Sequence, residues 1–248
     1  MGIQMTNMMA SGFGGMLADD TVDFGAHYLV PINLFGQTVY LTTTHVCTFI
    51  VLVVILALAL YARHQVLKED YDVPNNVQNV IEFLIEFLQG VVKNNMGEYA
   101  GIYMNYVMTL MIFIFIANTS GLFGLRPPTA DYGTTLAMAL ITFVLIQYAW
   151  FKTRGPVGIL KDLASPVFLF PINLIGEIAT PLSMSLRLFG NVVSGTVMLG
   201  LWYGLLPIFA KLGVPAFLHV YFDLFSGAIQ TYVFAMLTMV YVTDKRNS

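Results

Sequence analysis

The sequence contains few charged residues: Asp, Glu, Lys and Arg together make up 10% of its 248 residues. Soluble domains carry about a quarter of charged residues. Apolar residues account for 57% of the chain, and its mean hydropathy is +0.75. This composition excludes an ordinary soluble domain and predicts an integral membrane protein. The net charge of −3 is small, and we expect no nucleic-acid partner.

Cysteine is almost absent, and several motifs that carry chemistry are missing altogether. Cys47 is the single cysteine, so no disulfide forms within the chain and no Cys/His metal spacing exists. The sequence has no G-x-x-x-x-G-K-[ST] phosphate loop, no H-E-x-x-H zinc motif and no serine nucleophile loop. We therefore expect neither a metal nor a cofactor, and an intramembrane hydrolase is not favoured.

Five stretches are long and apolar enough to cross a bilayer core, which needs about 20 residues in helical form. A further stretch has apolar residues at helical spacing on one side only, which predicts an amphipathic helix on the inner surface. The predicted fold is an all-α membrane protein that forms a single integral membrane domain over residues 1–248. Its parts are an outer N-terminal segment at 1–43, membrane segments at 44–62, 101–124, 133–151, 165–206 and 215–243, and the amphipathic helix at 74–95.

The last two membrane segments are longer than a bilayer requires. From Ser165 to Leu201, a continuous helix would measure about 55 Å against a hydrocarbon core of about 30 Å. We expect either that this helix is strongly tilted or that it is broken at Pro171 or Pro181. The fifth segment would measure about 43 Å, so it also requires strong tilt. Two long tilted helices in a small protein suggest a pair that lies along the surface of a partner.

Basic residues are distributed unevenly between the two sides of the membrane. If the chain crosses five times from outside to inside, Arg126 and Lys211 fall outside. The others outside the membrane segments fall inside: Arg63, Lys68, Lys93, Lys152, Arg154, Lys161, Lys245 and Arg246. Loops with an excess of Lys and Arg face the cytoplasm, so we predict the N-terminus outside and the C-terminus in the cytoplasm.

One permanently charged residue lies inside the fourth membrane segment. Arg187 cannot be deprotonated in a protein, and its insertion into lipid costs several kcal/mol. A stripe of small residues is typical of close helix packing, which explains the serines near it but not the arginine itself. An ionisable residue at this depth indicates a functional site. On a helical wheel, the polar residues within about 40° of it are Thr180, Ser183, Asn191 and Ser194.

Two acidic residues accompany the arginine. Glu177 lies about 15 Å inward of Arg187 on the same helix. Asp223 shares a face of the fifth segment with Gln230 and, if Gln230 is level with the arginine, lies about 10 Å nearer the outside. Thr196 also lies nearer the outside of the membrane than Arg187 does. One acid on each side of a central arginine indicates two aqueous half-paths separated by a positive barrier. The alternative is a static tie, in which the arginine pairs with one of the acids.

Two stretches, "PLSMSLRLFGNVVSG" and "GAIQTYVFAMLTMVYV", closely resemble subunit a of bacterial F-type ATP synthases. The loop stretch "PPTADYGTTLAMALITF" resembles a region of the same family, and the resemblance covers roughly residues 40–245 in order and spacing. It implies that Arg187 faces a rotating ring of c subunits, each with one carboxylate, and that Asn191 and Gln230 line the path. It also implies two offset half-channels, which pass H⁺ or Na⁺ to and from those carboxylates.

The resemblance implies the partners and the location of the chain as well. Besides the ring of c subunits, the partners are the peripheral-stalk b subunits, the F1 head through the complex, and the lipid bilayer. The location is the inner (plasma) membrane. Nucleotide chemistry then belongs to partner subunits, so we expect that the chain is not an enzyme on its own.

Two positions differ from many members of that family. Such members have a glutamate nine residues after the arginine and a histidine seven residues before the glutamine. Here these positions are Thr196 and Asp223. A carboxylate has therefore moved from one helix to the other, and the half-path keeps its acidity without that glutamate–histidine pair.

A secondary ion-coupled transporter is the alternative from another functional class. Many such transporters contain inverted repeats, with broken helices around a binding site at the membrane midplane. We find no internal repeat in this sequence, which favours the resemblance to the ATP synthase subunit.

Overall fold

The computed structural model describes residues 28–34, 37–66, 76–164, 166–205 and 214–247. The first elements in this part of the chain are two strands, β1 (Tyr28–Leu34) and β2 (Gln37–Thr42), which pair as an antiparallel hairpin. No strand is predicted in the outer segment. The missed signal is two short runs rich in β-branched and aromatic residues, separated by only two residues.

Helices form most of the described chain after the hairpin. They are α1 (Thr43–Val66), α2 (Asn76–Met96), α3 (Ala100–Thr119), α4 (Tyr132–Leu163), α5 (Phe170–Leu205), α6 (Val214–His219) and α7 (Gly227–Asn247). A π-helix, Val220–Ser226, joins α6 to α7 without a break and is called the π segment. Short 3₁₀ turns lie at Gly97–Tyr99, Ser120–Phe123, Pro128–Ala130 and Val167–Leu169.

Five helical stretches of the described chain are long and apolar enough to cross a membrane. The second of these stretches combines α2 with α3. The prediction of an all-α membrane protein is therefore confirmed, and the hairpin before α1 is an addition to it. The five stretches are Thr43–Gln65, Asn76–Phe123, Tyr132–Leu163, Phe170–Trp202 and Phe217–Asn247.

The amphipathic helix predicted at 74–95 is α2. The second half of α2 packs against the other helices through Leu88, Val92 and Met96, which are buried. Apolar side chains in its first half, such as Val80, Phe83 and Leu84, are exposed. The helix therefore attaches to its own bundle at one end and leaves the rest of its apolar surface uncovered within the chain.

α5 is one helix of 36 residues and is therefore about 54 Å long. Pro171 is its second residue, where the missing backbone N–H has no helical partner to lose. Pro181 lies inside the helix, which continues through it. The predicted alternative of a break at either proline is not observed in α5. A helix of this length fits a hydrocarbon core of about 30 Å only with strong tilt.

α4 extends well beyond the predicted end of the third membrane segment, as far as Leu163. Its helical geometry is interrupted at Gly155, where φ is 68° and ψ is 173°. Glycine adopts this conformation without steric cost, and Pro156 directly after it is suited to begin a new turn. Residues 156–163 thus form a second helical leg. This leg is not predicted from the sequence, because the basic residues after the apolar run end the hydropathy signal.

The helices pack around two clusters of buried side chains. The first cluster joins α2, α3, α4 and α7, and Val92 and Met239 are fully buried in it. The second joins α3, α4, α5 and α7 around Ile114, Leu188 and Phe234. α5 is thus anchored to the core by one side only, which leaves its other side free to face a partner or lipid.

Candidate functional site

Two ends of the helix bundle serve as reference points for the site. The loop end carries the connection between α3 and α4, and the C-terminal end carries the last residues of α7. Glu177, in the first third of α5, pairs with Lys245 at the C-terminal end. Asp223 in the π segment contacts Gly121 at the loop end. The two acids predicted to flank Arg187 therefore lie toward opposite ends of the bundle.

Arg187 lies on the side of α5 that faces away from the helix bundle, which is called its outward side. Met184 and Leu188 beside it are 1% and 0% exposed and hold an adjacent side of the helix in the core. The arginine itself is exposed, as is Leu186. Among the residues that the structure describes, none forms a hydrogen bond or an ion pair with its guanidinium. A permanent positive charge therefore points out of the chain in a helix long and apolar enough to cross a membrane.

The predicted polar stripe follows this outward side of α5. Ser183 and Ser194 are exposed, and a Cβ atom added to Gly190 would meet open space. The hydroxyl of Thr196, which lies about half a turn around the helix from Arg187, donates a hydrogen bond to a backbone carbonyl of α5 at 3.0 Å. The hydroxyls of Thr180 and Ser194, on the outward side, donate in the same way at 3.1 and 2.9 Å. Because these side chains are small and satisfied within the helix, another helix can approach closely without breaking hydrogen bonds.

The two predicted acids pair with residues other than Arg187. Oδ2 of Asp223 lies 2.9 Å from Nδ1 of His219, four residues earlier in the chain. Glu177 forms an ion pair with Lys245. The alternative of a static tie between the arginine and one of these acids is therefore not observed among these described residues.

Asp223 is packed tightly against the loop end. A Cβ atom on Gly121 would lie 2.9 Å from the carboxyl carbon of Asp223, so this close approach requires glycine. The carboxylate lines a cavity of about 10 Å³, roughly the space for one water molecule. Two predicted site residues, Asp223 and Asn191, meet at this cavity. Its full lining is Asn118, Asn191, Val192, Gly195, Phe222, Asp223 and Gly227.

Asn191 connects α5 to the π segment. Its Oδ1 accepts a hydrogen bond from Oγ of Ser226 at 2.9 Å. One turn further along α5, a Cβ atom on Gly195 would lie 3.3 Å from Cβ of Phe222, so the two elements are in close contact. Since Asn191 is one helical turn from Arg187, this connection holds the Asp223 cavity near the arginine along α5.

The backbone around Asp223 is not a regular α-helix. The predicted common face of Asp223 and Gln230 assumes α-helical steps, whereas hydrogen bonds in a π-helix reach from i to i+5 and each residue advances by a smaller angle. π-turns inside helices are frequent at functional sites. His219, which pairs with Asp223 here, is missed by sequence analysis. The signal for it is the i, i+4 spacing between the two side chains.

Asn118 is a buried polar residue that sequence analysis also misses. Its Oδ1 accepts a hydrogen bond from Oγ1 of Thr129 at 2.7 Å, and its Nδ2 donates to the Gly227 carbonyl at 3.4 Å. A Cβ atom on Gly227 would lie 2.9 Å from Cβ of Asn118, so α3 and α7 approach as closely as a glycine permits. A lone amide near the end of the apolar second segment is the signal that indicates this role.

Gln230 is buried in α7, with 7% of its surface exposed. Its Nε2 atom has no hydrogen-bond acceptor among the described residues. A buried donor without an acceptor costs about 1–3 kcal/mol. This nitrogen therefore makes no stabilising hydrogen bond within the described part of the chain.

Glu177 belongs to a cluster at the C-terminal end. Its Oε2 accepts a hydrogen bond from Nε2 of Gln147 at 2.9 Å, and its other oxygen pairs with Lys245. Nζ of Lys245 also lies 3.6 Å from the centroid of the Trp150 ring. This cluster joins α4, α5 and α7, which favours a structural role for Glu177 over that of a free pathway acid.

Comparison with known proteins places the chain in a family. The family model described as "ATP synthase A chain" matches residues 41–243. The chain is similar to "ATP synthase subunit a, sodium ion specific" of Propionigenium modestum, with 41% identity over 187 residues, covering 68% of this chain and 63% of that protein. It is also similar to ATP synthase subunit a of Priestia megaterium, with 34% identity over 90% of this chain and 98% of that protein. It is 32% identical to ATP synthase subunit a of Staphylococcus saprophyticus, over 88% of this chain and 96% of that protein.

Fold and site together define a helical membrane protein that exposes an arginine, unpaired within the described chain, on a membrane-length helix. The family match covers most of the sequence, so the chain belongs to the ATP synthase A chain family. It is a membrane subunit of the bacterial ATP synthase, the ion-channel stator subunit of the Fo sector, and it works within a multi-subunit complex. The resemblance seen in the sequence motifs is confirmed.

Proposed function

We propose that the chain forms two offset half-channels for H⁺ or Na⁺, with Arg187 as the charge barrier between them. The ions pass to and from carboxylates of a rotating ring of c subunits that lies against the outward side of α5. One observation carries this proposal: the arginine is exposed in a membrane-length helix and has no ion pair or hydrogen bond to any described residue.

The exposed arginine requires a partner from another chain. A guanidinium left in lipid is unfavourable by several kcal/mol. A carboxylate from a neighbouring helix removes most of this cost, because charge-assisted hydrogen bonds between the two groups are strong. The small side chains Ser183 and Gly190, on the same outward side, leave room for such a helix. A partner that carries an acid at membrane depth therefore fits this surface.

The arginine then controls the charge of each ring carboxylate. A carboxylate that moves through lipid is neutral, because an ion is bound to it. Opposite charge favours the ionised form, so the carboxylate releases its ion close to Arg187 and takes up another after passing it. The arginine also repels free cations, which prevents a leak between the half-channels. The membrane potential drives the cycle with about 2.3 kcal/mol per charge and 100 mV.

The two half-channels approach Arg187 from opposite ends of the bundle. The first comes from the loop end through the cavity that Asp223 and Asn191 line, with Gln230 further along α7. The second comes from the C-terminal end along Thr180 and Ser183. Because the two paths end on either side of the arginine, an ion crosses the whole membrane only while it is bound to a carboxylate of the rotating ring.

The remaining partners follow from membership of the same complex. Peripheral-stalk b subunits hold this chain stationary while the ring turns, and the F1 head carries out the nucleotide chemistry. The phosphate-loop motif is absent from this sequence, which agrees with that division of labour. The chain contributes the ion path and is not an enzyme on its own.

The loop end faces the outside, and the C-terminus is cytoplasmic. This orientation rests on the excess of basic residues on one side of the predicted membrane segments. The test variant carries Cys47→Ser and Ser248→Cys, so its one cysteine lies at the C-terminus. An impermeant maleimide added outside intact cells should not label it. The matched variant Asp20→Cys should be labelled. The reverse pattern would overturn the orientation.

Cross-linking tests whether the outward side of α5 meets the ring. We expect Ser183→Cys and Gly190→Cys, each in a Cys47→Ser chain, to form disulfides with cysteines placed beside the ring carboxylate when whole membranes are oxidised. The reason is that both positions lie on the exposed side that carries Arg187.

The control positions lie on the same helix but in the core. Met184→Cys and Leu188→Cys should give no cross-link, because their side chains are 1% and 0% exposed within this chain. Equal cross-linking from both pairs, or cross-links from the buried pair alone, would contradict the proposed position of the ring.

A further inference from the structure

A cleft at the loop end lies next to the small cavity that Asp223 lines. The cleft has a volume of about 320 Å³, and Gly121, Leu122, Gly124 and His219 line it. The side chain of His219 is 33% exposed, whereas that of Asp223 is 16% exposed. Nδ1 of the imidazole lies 2.9 Å from Oδ2 of the carboxylate. The hydrogen-bonded pair therefore has its more exposed member in the cleft and its more buried member in the cavity.

Gly121 forms part of the wall between the two spaces. It lines the cleft, and its α-carbon side lies so close to Asp223 that an added Cβ atom would be 2.9 to 3.0 Å from the carboxylate atoms. The wall leaves no room for an ion to pass between Gly121 and the carboxylate. At this place, the imidazole–carboxylate hydrogen bond is the contact that joins the cleft to the cavity.

We propose that His219 is the residue that admits protons to this half-channel, by taking them from the cleft and passing them to Asp223. The proposal deepens the proposed function and rests on it. It also assigns the ion: an imidazole takes up a proton at one nitrogen while it releases one from the other. It offers a hard cation such as Na⁺ only a nitrogen ligand, where such cations prefer oxygen.

The transfer conserves protons and charge. The proposed transfer starts from a neutral imidazole whose Nδ1–H donates to the Asp223 carboxylate 2.9 Å away, since a carboxylate anion only accepts. A hydronium ion in the cleft forms a new N–H bond at Nε2, while the Nδ1–H bond breaks and its proton binds Oδ2. The imidazole is again neutral, and Asp223 is a carboxylic acid that passes its proton into the cavity beside Asn191. The starting state returns when the imidazole turns toward the cleft, where water takes the proton from Nε2 and supplies one to Nδ1, with no net change in protons or charge.

The test uses the whole ATP synthase in inverted membrane vesicles, with ATP synthesis driven by an imposed potential. We expect His219→Gln to slow synthesis on the order of tenfold to a hundredfold, up to the lower end of the range for positioned proton-transfer groups, because the amide keeps a hydrogen bond to Asp223 but cannot take up and release a proton. Imidazole added to the buffer should restore part of the rate. The matched control His64→Gln changes an exposed histidine of α1 and should leave the rate unchanged.

Two further variants separate a proton relay from a structural contact. Gly121→Ala keeps both relay residues but displaces the carboxylate, so it should also slow synthesis in assembled complexes. The double variant with His219→Gln and Asp223→Asn should be no slower than Asp223→Asn alone, because steps in series are not additive. Both results are measured per assembled complex.

Three results would overturn the proposal: an unchanged rate in assembled His219→Gln complexes, a slow rate that imidazole does not raise, or synthesis by the unmodified complex that requires Na⁺. Arg187→Ala is measured in the same vesicles. If that variant loses coupled synthesis while His219→Gln behaves normally, the relay alone is refuted. If Arg187→Ala also behaves normally, the proposed function itself fails.

Discussion

Arg187→Ala is expected to abolish ion-driven ATP synthesis while the complex still assembles. An opposite charge within about 4–6 Å favours an ionised carboxylate by roughly 1.4–4 kcal/mol, which is about 10- to 1,000-fold in its ionised population. Without the charge of Arg187, the ring carboxylates keep their bound ions when they reach this chain. Assembly should survive, because the guanidinium is exposed and forms no ion pair within the described chain, so its removal leaves no buried partner unpaired.

The measurement is ATP synthesis in inverted vesicles, together with the amount of assembled complex in the same membranes. Arg187→Lys should not restore the rate, because lysine lacks the planar fork and loses its proton more readily in an apolar environment. Arg154→Ala is the matched control. That arginine pairs with Asp162 at 3.5 Å on the exposed surface, where such pairs contribute little. Normal coupled synthesis in Arg187→Ala membranes would refute the barrier role.

Asp223→Asn is expected to slow ion-driven synthesis on the order of tenfold to a hundredfold, up to the lower end of the range for positioned proton-transfer groups. The amide has nearly the same shape as the carboxylate, so it fits against Gly121 and still accepts a hydrogen bond from His219. It cannot bind and release a proton at neutral pH. The complex should therefore assemble normally and turn slowly.

The same vesicle assay, normalised to assembled complex, separates the pathway role from a structural one. Asp162→Asn, in the second leg of α4, is the matched control and should leave the rate unchanged. Asp223→His combined with Thr196→Glu recreates the arrangement that the resemblance to the family implies, and it should recover part of the rate. Failed assembly in Asp223→Asn would indicate a structural role, and a full synthesis rate would remove this residue from the path.

Much of the fold follows from the sequence, because each membrane segment is a local property of 20 or more residues. The apolar runs predict five crossings, and the spacing of apolar residues predicts α2. The hairpin before α1 and the helical leg after Gly155 are not predicted, because both depend on short turns, and a hydropathy average over about 20 residues does not detect them. The choice between an unbroken and a broken α5 also needs the structure, since Pro181 is compatible with either.

The site divides in the same way. The sequence alone determines that Arg187, a permanent charge, lies at membrane depth, because the length and apolar composition of the surrounding run place it inside a membrane segment. Which partners the acids have is decided by tertiary structure. The π segment turns Asp223 toward His219, Gly121 and Asn191, whereas Glu177 is held by Lys245. Helical spacing cannot give these pairs, because they depend on how separate helices rotate and pack against one another. For the same reason, only the packed structure turns the arginine outward, where a second chain can meet it.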